Sequence, residues 1–351
     1  MGSASYDPSL YGRDFENYIF IGQAYINYKY NNTNIIAGRQ RLDTPLAGAD
    51  DARMLPNLFE AVVLSNTDIE STELIGAHVF RETVGTFGNI YGGGVLGLTS
   101  GYGLGMNEAL SGDFVNMGTV ALGSEDADGN YIDNETAGVT ALSAVYTGIE
   151  NLKLQAWDYI AWDILNVVYL DGDYTIGINE SAKIKFSAQY INETDIGDAF
   201  AGNVDTNYVA GRVTGVYDAF AAYLALSATG DGDGALNGGV ITPWGGMPAY
   251  TQGMVTRHQF LADTDSWKVA ASYNVKEYGI RASVYYAEFD VGAQNSYVNG
   301  TAWTATESGF DVQYKVAAVD GLNLRLRANY PRDFKPGLDW DEYRFIVNYN
   351  F

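Results

Sequence analysis

The sequence predicts an all-β fold: a single antiparallel transmembrane β-barrel over residues 1–351, with about 15 strands visible and about 16–18 in the intact protein. Three observations carry this expectation. Alternation of apolar and polar residues with a period of two recurs along nearly the whole chain. The connections between the alternating segments are short and long by turns. The composition, with 27 tyrosines, 41 glycines and only 7 prolines, suits strands, tight turns and a water–lipid interface better than helix packing. No run of ~18 apolar residues exists to cross a membrane as a helix.

The segments follow in order. "ENYIFIGQAYINYKY" (16–30) places Phe20, Ala24, Ile26, Tyr28 and Tyr30 on one face, and the turn "NNTN" leads into "IIAGRQRL" (35–42). "LFEAVVLS" (58–65) and "TELIGAHVFR" (72–81) flank "NTDIES", and "GVTALSAVYTG" and "NLKLQAWDY" meet near "GIEN". "ILNVVYLDGDYTIG" and "AKIKFSAQYIN" flank "INES", while "NYVAGRVTGVY" and "AFAAYLALSATG" nearly touch. "SWKVAASYNV" (266–275) and "GIRASVYYAEF" (279–289) flank "KEY"; "SGFDVQYKVAA" (308–318) and "GLNLRLRANY" (321–330) flank "VD". The last strand, "DEYRFIVNYNF", alternates Tyr343, Phe345, Val347, Tyr349 and Phe351 with mostly polar residues. Most of the short turns carry Asn, Asp, Gly or Ser. The long connections are 43–57, 82–137, 193–206, 231–265, 290–307 and 331–341, with "IAWD" the one brief exception. A soluble sandwich has no reason to sort its loops by parity, whereas an outer-membrane barrel has short periplasmic turns and long external loops. With so many strands the lumen is too wide to fill with a dry core, so the polar faces point inward to water and the apolar faces outward to lipid. If the last strand descends to the periplasm, so does the first visible one; parity then expects either a further strand within "ASYDPSLYGRD" or, the preferred reading, a chain that lacks an odd number of N-terminal strands.

Composition also excludes. A formal charge of −23 opposes nucleic-acid binding, because phosphates would be repelled. The absence of cysteine removes disulfides, thiolate catalysis and cysteine metal sites. "MGSASYDPSLYG" lacks the basic start and apolar core of a signal peptide.

Several segments resemble the OprD-type outer-membrane porins and the major porins related to them. "AGRQRLDTPLAGADDARMLPNLFEAVVLS" (37–65) is similar to an early strand–loop–strand of that family, and "NLKLQAWDYIAWDILNVVYLDGDYTIG" (151–177) to a later strand–corner–strand. "GLNLRLRANY" and "EYRFIVNY" resemble its last two strands. The resemblance implies an 18-stranded, often trimeric pore for passive diffusion of small hydrophilic solutes in the outer membrane of a Gram-negative bacterium, with three strands absent here. Its partners would be the lipid bilayer, lipopolysaccharide, ions and small solutes. The insertion at 82–137 is longer than the family pattern, so solute specificity does not carry over.

A pore performs no reaction, and its chemistry is width and lining charge. Arg325 and Arg327 lie opposite in facing to Leu322, Leu324 and Leu326; with Arg344 and Lys315 on neighbouring strands they form a candidate basic wall, matching the lumenal basic ladder that the resemblance implies. The alternative is a set of hydrated lumen residues without a steering role. Arg39 and Arg41 of "GRQRL" are further candidates on a weakly alternating strand. Asp50 and Asp51, with Arg53, either face that wall across a constriction or cap a loop turn. The segment 82–137, glycine-rich and apolar in its first half, is expected to fold into the lumen; otherwise it packs externally at a trimer axis. Total charge leans toward weak cation selectivity, the basic wall toward carboxylates. No cofactor is expected beyond weakly bound Ca²⁺ in the acidic loops "DADGNYIDNE" and "GDGDG", neither of which has the register of a calcium loop. His78 and His258, far apart, speak against a hydrolase on the barrel rim. That enzyme and a plugged structural or adhesive barrel are the alternatives to a porin; loss of hydrolysis on His78→Ala would mark the first and absent conductance the second.

Overall fold

The computed structural model describes residues 19–49, 55–85, 112–123 and 132–351. Its strands, in chain order, are β1 Ala24–Tyr30, β2 Thr33–Gln40, β3 Leu58–Asn66, β4 Thr72–Thr83, β5 Val115–Asn116, β6 Val139–Tyr146, β7 Leu152–Ala161 and β8 Leu165–Gly177, followed by β9 Ala182–Asp195, β10 Asp205–Tyr217, β11 Phe220–Thr229, β12 Thr264–Val275, β13 Ile280–Val291, β14 Trp303–Lys315, β15 Leu322–Arg332 and β16 Glu342–Tyr349. They make one antiparallel 16-stranded sheet whose path runs in chain order, except that β4 pairs with β6 and the two-residue β5 sits on β4 beside that path. Every segment expected from the alternation is a strand of the path.

Turn chemistry explains the short connections. A left-handed backbone is needed where a tight turn reverses a strand, and Asn31, Ser71, Asn151, Asp218, Gly279 and Gly321 supply it. Gly321 is obligatory, since a Cβ there would meet the carbonyl oxygen of Asn350 at 2.0 Å.

The alternation separates two faces. Along β10 the residues Thr206, Tyr208 and Ala210 are buried, while Asp205, Asn207, Val209 and Gly211 between them are exposed. The exposed side is apolar in its middle. Leu224 stands opposite Val213 and Val269 and is 51% exposed; Leu326 stands opposite Val312 and Phe345. Near the short turns this band ends in an aromatic row that includes Tyr146, Tyr174, Tyr217, Phe220, Tyr273, Tyr314 and Tyr349, all exposed. Such a belt belongs where rings meet the headgroups of a bilayer.

Two boundaries move by five residues or more. The first strand starts at Ala24 rather than at 16, and β14 starts at Trp303 rather than at 308. In β14 the outward residues Thr304, Thr306 and Ser308 are polar, so apolar alternation stops although strand pairing continues. Those residues lie toward the long-loop end, beyond the apolar band.

The inner face is covered by chain. The β11–β12 connection, 230–263, buries Val240, Ile241, Thr242, Trp244, Phe260 and Ala262 completely or nearly so. It bonds to inward residues of successive strands: Glu193 of β9 accepts from Ile241 N at 2.8 Å, Thr206 of β10 donates to Gly239 O at 3.1 Å, and Ser227 of β11 pairs with Thr251 at 2.7 Å. A sheet touched from β8 to β14 by one inserted segment is curved around it. The β2–β3 connection also turns inward, where Leu46 N donates to the Tyr159 hydroxyl of β7 and Ala47 pairs with Gly245. Gly246 permits that approach, because a Cβ would lie 2.3 Å from Leu46.

Candidate functional site: a charged eyelet inside the sheet

The two inserted loops leave a cavity of about 630 Å³ between themselves and the wall. Asp43, Thr44 and Pro45 border it from one loop, and Met247, Gln252, Met254 and Arg257 from the other. Gln155, Trp157 and Tyr169 close it from β7 and β8, with Arg327 from β15. An acidic side chain and two arginines thus line one narrow space beside two large rings; Trp157 itself stacks on Tyr159 at 5.6 Å.

The basic residues read from the last three strands come together in part. Arg327 lies directly across from Arg344 and from Asp311, and Arg325 from Gln313. Arg325 Nε donates to both Asp311 carboxylate oxygens at 3.0 and 2.9 Å, and Arg327 Nε is 3.2 Å from the same group. Arg344 is 3.2 Å from Glu342. The strip is therefore partly neutralised, with one carboxylate serving two guanidinium groups. Lys315 lies on the same face but is exposed at the short-turn end.

Arg39 lies apart from that strip. Arg39 stands opposite Glu60, on the side of β3 that also carries the exposed Val62 and Leu64. It binds Glu60 at 2.8 Å and lies 4.2 Å from the centre of the Phe114 ring. Arg41, past the end of β2, is exposed. Weak alternation in "TNIIAGRQ" hid the facing. Asp50, Asp51 and Arg53 lie outside the described residues.

Further basic residues occupy inward positions of β10 and β12 by the same parity. Arg212 of β10 reaches the Tyr250 ring at 4.3 Å, and Lys268 of β12 donates to Gln252 O at 2.6 Å and sits 4.7 Å from the Tyr285 ring. Arg257 and Asp43 had no such signal, since loop residues have no pleat to read. Tyr250 donates to Asp171 of β8 at 2.5 Å. Burial, reinforced by that carboxylate, pushes its phenol above the usual range, so it stays a donor.

Of the long segment 82–137, the described part includes helix α1, Met117–Leu122, capped by Asn116 and buried from Met117 to Ala121. The Trp244 indole donates to Met117 O at 3.5 Å. Residues 86–111 and 124–131 lie outside the described residues, and with them most of one acidic loop. Among the described residues no three His, Asp or Glu side chains gather as a metal site, Asp231 and Asp233 included.

A curved antiparallel sheet with an apolar exterior and a polar, loop-narrowed interior defines a diffusion channel of the outer-membrane type. Residues 118–351 match the model of the outer membrane porin, OprD family, and the chain belongs to that family. The comparison with curated proteins gave no match. Among solved structures the fold is similar to OpdK of Pseudomonas aeruginosa with vanillate (TM-score 0.74, 18% identity, 92% of this chain and 77% of that one). It is similar also to OpdL of Pseudomonas aeruginosa (0.69, 19%, 93% and 80%) and to OccAB3 of Acinetobacter baumannii (0.71, 15%, 93% and 76%). The protein is thus a porin of the Gram-negative outer membrane, a passive channel for small solutes rather than an enzyme, with the lipid bilayer around it.

Proposed function

We propose that the porin passes small carboxylate-bearing solutes along the strip Arg344, Arg327 and Arg325, with Lys315 at the short-turn mouth, within a channel of weak overall cation preference. The observation that supports this most is the cavity that Arg327, Arg257 and Asp43 all line. Opposite charges across a narrow space orient a dipolar solute, and guanidinium groups bind carboxylates through charge-assisted hydrogen bonds. Trp157 and Tyr169 in the same cavity suit an aromatic ring on such a solute. OpdK, similar in fold, is described with vanillate, an aromatic acid. Asp50 and Asp51 belong to this reading as acidic groups of the loop that carries Asp43.

The same reading takes 82–137 as folded inward, supported by the burial of α1 and its contact with Trp244. It also takes the porin as a homotrimer with lipopolysaccharide at its outer rim, which rests on family resemblance; a native mass of one chain in mild detergent would remove the trimer.

Reversal potentials across a salt gradient test the strip. Arg325→Ala with Arg327→Ala leaves Asp311 uncompensated and shifts selectivity toward cations, while Asp311→Asn releases both arginines and shifts it toward anions. Unchanged reversal potentials in both variants would remove the steering role.

A further inference from the structure

We infer that Glu307 is the positioning residue of the eyelet: a wall carboxylate that sets where Met254 and Arg257 stand, and through them the width and selectivity of the pore. Glu307 lies on the inward face of β14, fully buried. Its carboxylate accepts from three successive backbone groups of the inserted loop, Met254 N at 2.5 Å, Val255 N at 3.2 Å and Thr256 N at 2.7 Å. The Tyr285 hydroxyl of β13 donates to it as well. Three consecutive N–H groups turned to one point form a nest, which a carboxylate fills better than any neutral group.

The position of the nest gives it consequence. Gln252 before it, Met254 at its start and Arg257 after it line the cavity. Lys268 holds the same segment from β12 through Gln252 O. Gly253 is pressed against Glu307, since a Cβ there would lie 2.7 Å from Oε2. Elsewhere the loop is held through Asp171, Glu193, Thr206, Ser227 and Thr229. At Glu307 one side chain takes three successive backbone donors of the loop. Glu307 does not border the cavity itself, so its effect on permeation runs through the loop. This inference rests on the pore that family membership establishes, and not on which solute the pore prefers.

Glu307→Gln tests it. The amide keeps the shape but offers one acceptor and turns an NH₂ toward backbone donors, so the segment should leave its seat. In planar bilayers the variant should show conductance raised roughly 2-fold, noisier open levels and a shifted reversal potential, as expected when a constriction loosens. The control is a tether. The chain has no cysteine, and the Ser227 and Thr251 hydroxyl oxygens are 2.7 Å apart. Adding Ser227→Cys with Thr251→Cys to Glu307→Gln should return conductance and reversal potential to the parent values when oxidised, and reductant should abolish the rescue.

Parent behaviour in untethered Glu307→Gln overturns the inference. A reversal-potential shift that survives the oxidised tether overturns it too, because Glu307 would then act on ions by its own charge. If Glu307→Gln fails to fold, Gly253→Ala displaces the same segment from the other side and should alter conductance and reversal potential together; no change there also counts against it.

Discussion

Asp311 shows why a row of arginines in a pore is not equivalent to a row of free charges. Its carboxylate is shared by Arg325 and Arg327, so the strip offers less attraction than its arginine count suggests. Geometry is what the sharing secures, because two guanidinium groups on adjacent rungs would otherwise repel. His258 is another side chain whose surroundings decide its role. It is buried, with Nε2 2.6 Å from Phe334 O and its ring against Phe334, Tyr297, Trp303 and Phe289. It joins the inserted loop to the connections 292–302 and 333–341. Burial, with the nearby Lys335 ammonium, lowers its pKa from 6.5 to about 4. The unfolded chain therefore binds more protons than the folded one between those values. The resulting stability is fully present above pH 6.5 and is lost as pH falls toward 4. Guanidinium unfolding midpoints in vesicles should decline through that window, and His258→Gln should flatten the decline.

Strands and loops differ in how their positions are set. A strand is set by its two faces. Leu224, on the outward face of β11 and flanked by Val213 and Val269, lies in the middle of the apolar band. Leu224→Arg should cost about 2–4 kcal/mol, the depth-dependent cost of a cation at mid-bilayer, read from urea unfolding in lipid vesicles. Ala225, one residue along, points inward and is fully buried, so the same change there should instead displace the inserted loop and alter conductance. Loops have no such code. The segment 230–263 contains few apolar runs, and its inward course follows from bonds to Glu193, Thr206, Ser227, Lys268 and Glu307, which lie on five different strands. Nothing local in "GGVITPWGGMPAYTQGMVTRHQF" announces those partners.

The molecule as a whole is an inverted globule. Its outward band is apolar, and its interior joins polar wall residues to inserted loops whose apolar side chains, Ile241, Trp244 and Phe260 among them, pack against the wall in buried clusters. The amino-acid sequence determined the strands, their pairing in chain order and which face meets lipid, because side-chain alternation is a local property with a period of two. It also showed that Arg325, Arg327 and Arg344 share the inward face, since parity along a strand needs no knowledge of partners. Where the outward residues turn polar, as at Thr304 and Thr306, the boundary was lost, because the code is hydropathy and not hydrogen bonding. Only the tertiary structure decided the eyelet. Which loop turns inward, that Asp43, Arg257 and Arg327 line one cavity, and that Arg39 pairs with Glu60 all depend on curvature and on contacts between residues far apart in the chain. Such contacts are chosen by the whole arrangement of buried donors and acceptors, and no short stretch of sequence contains that arrangement.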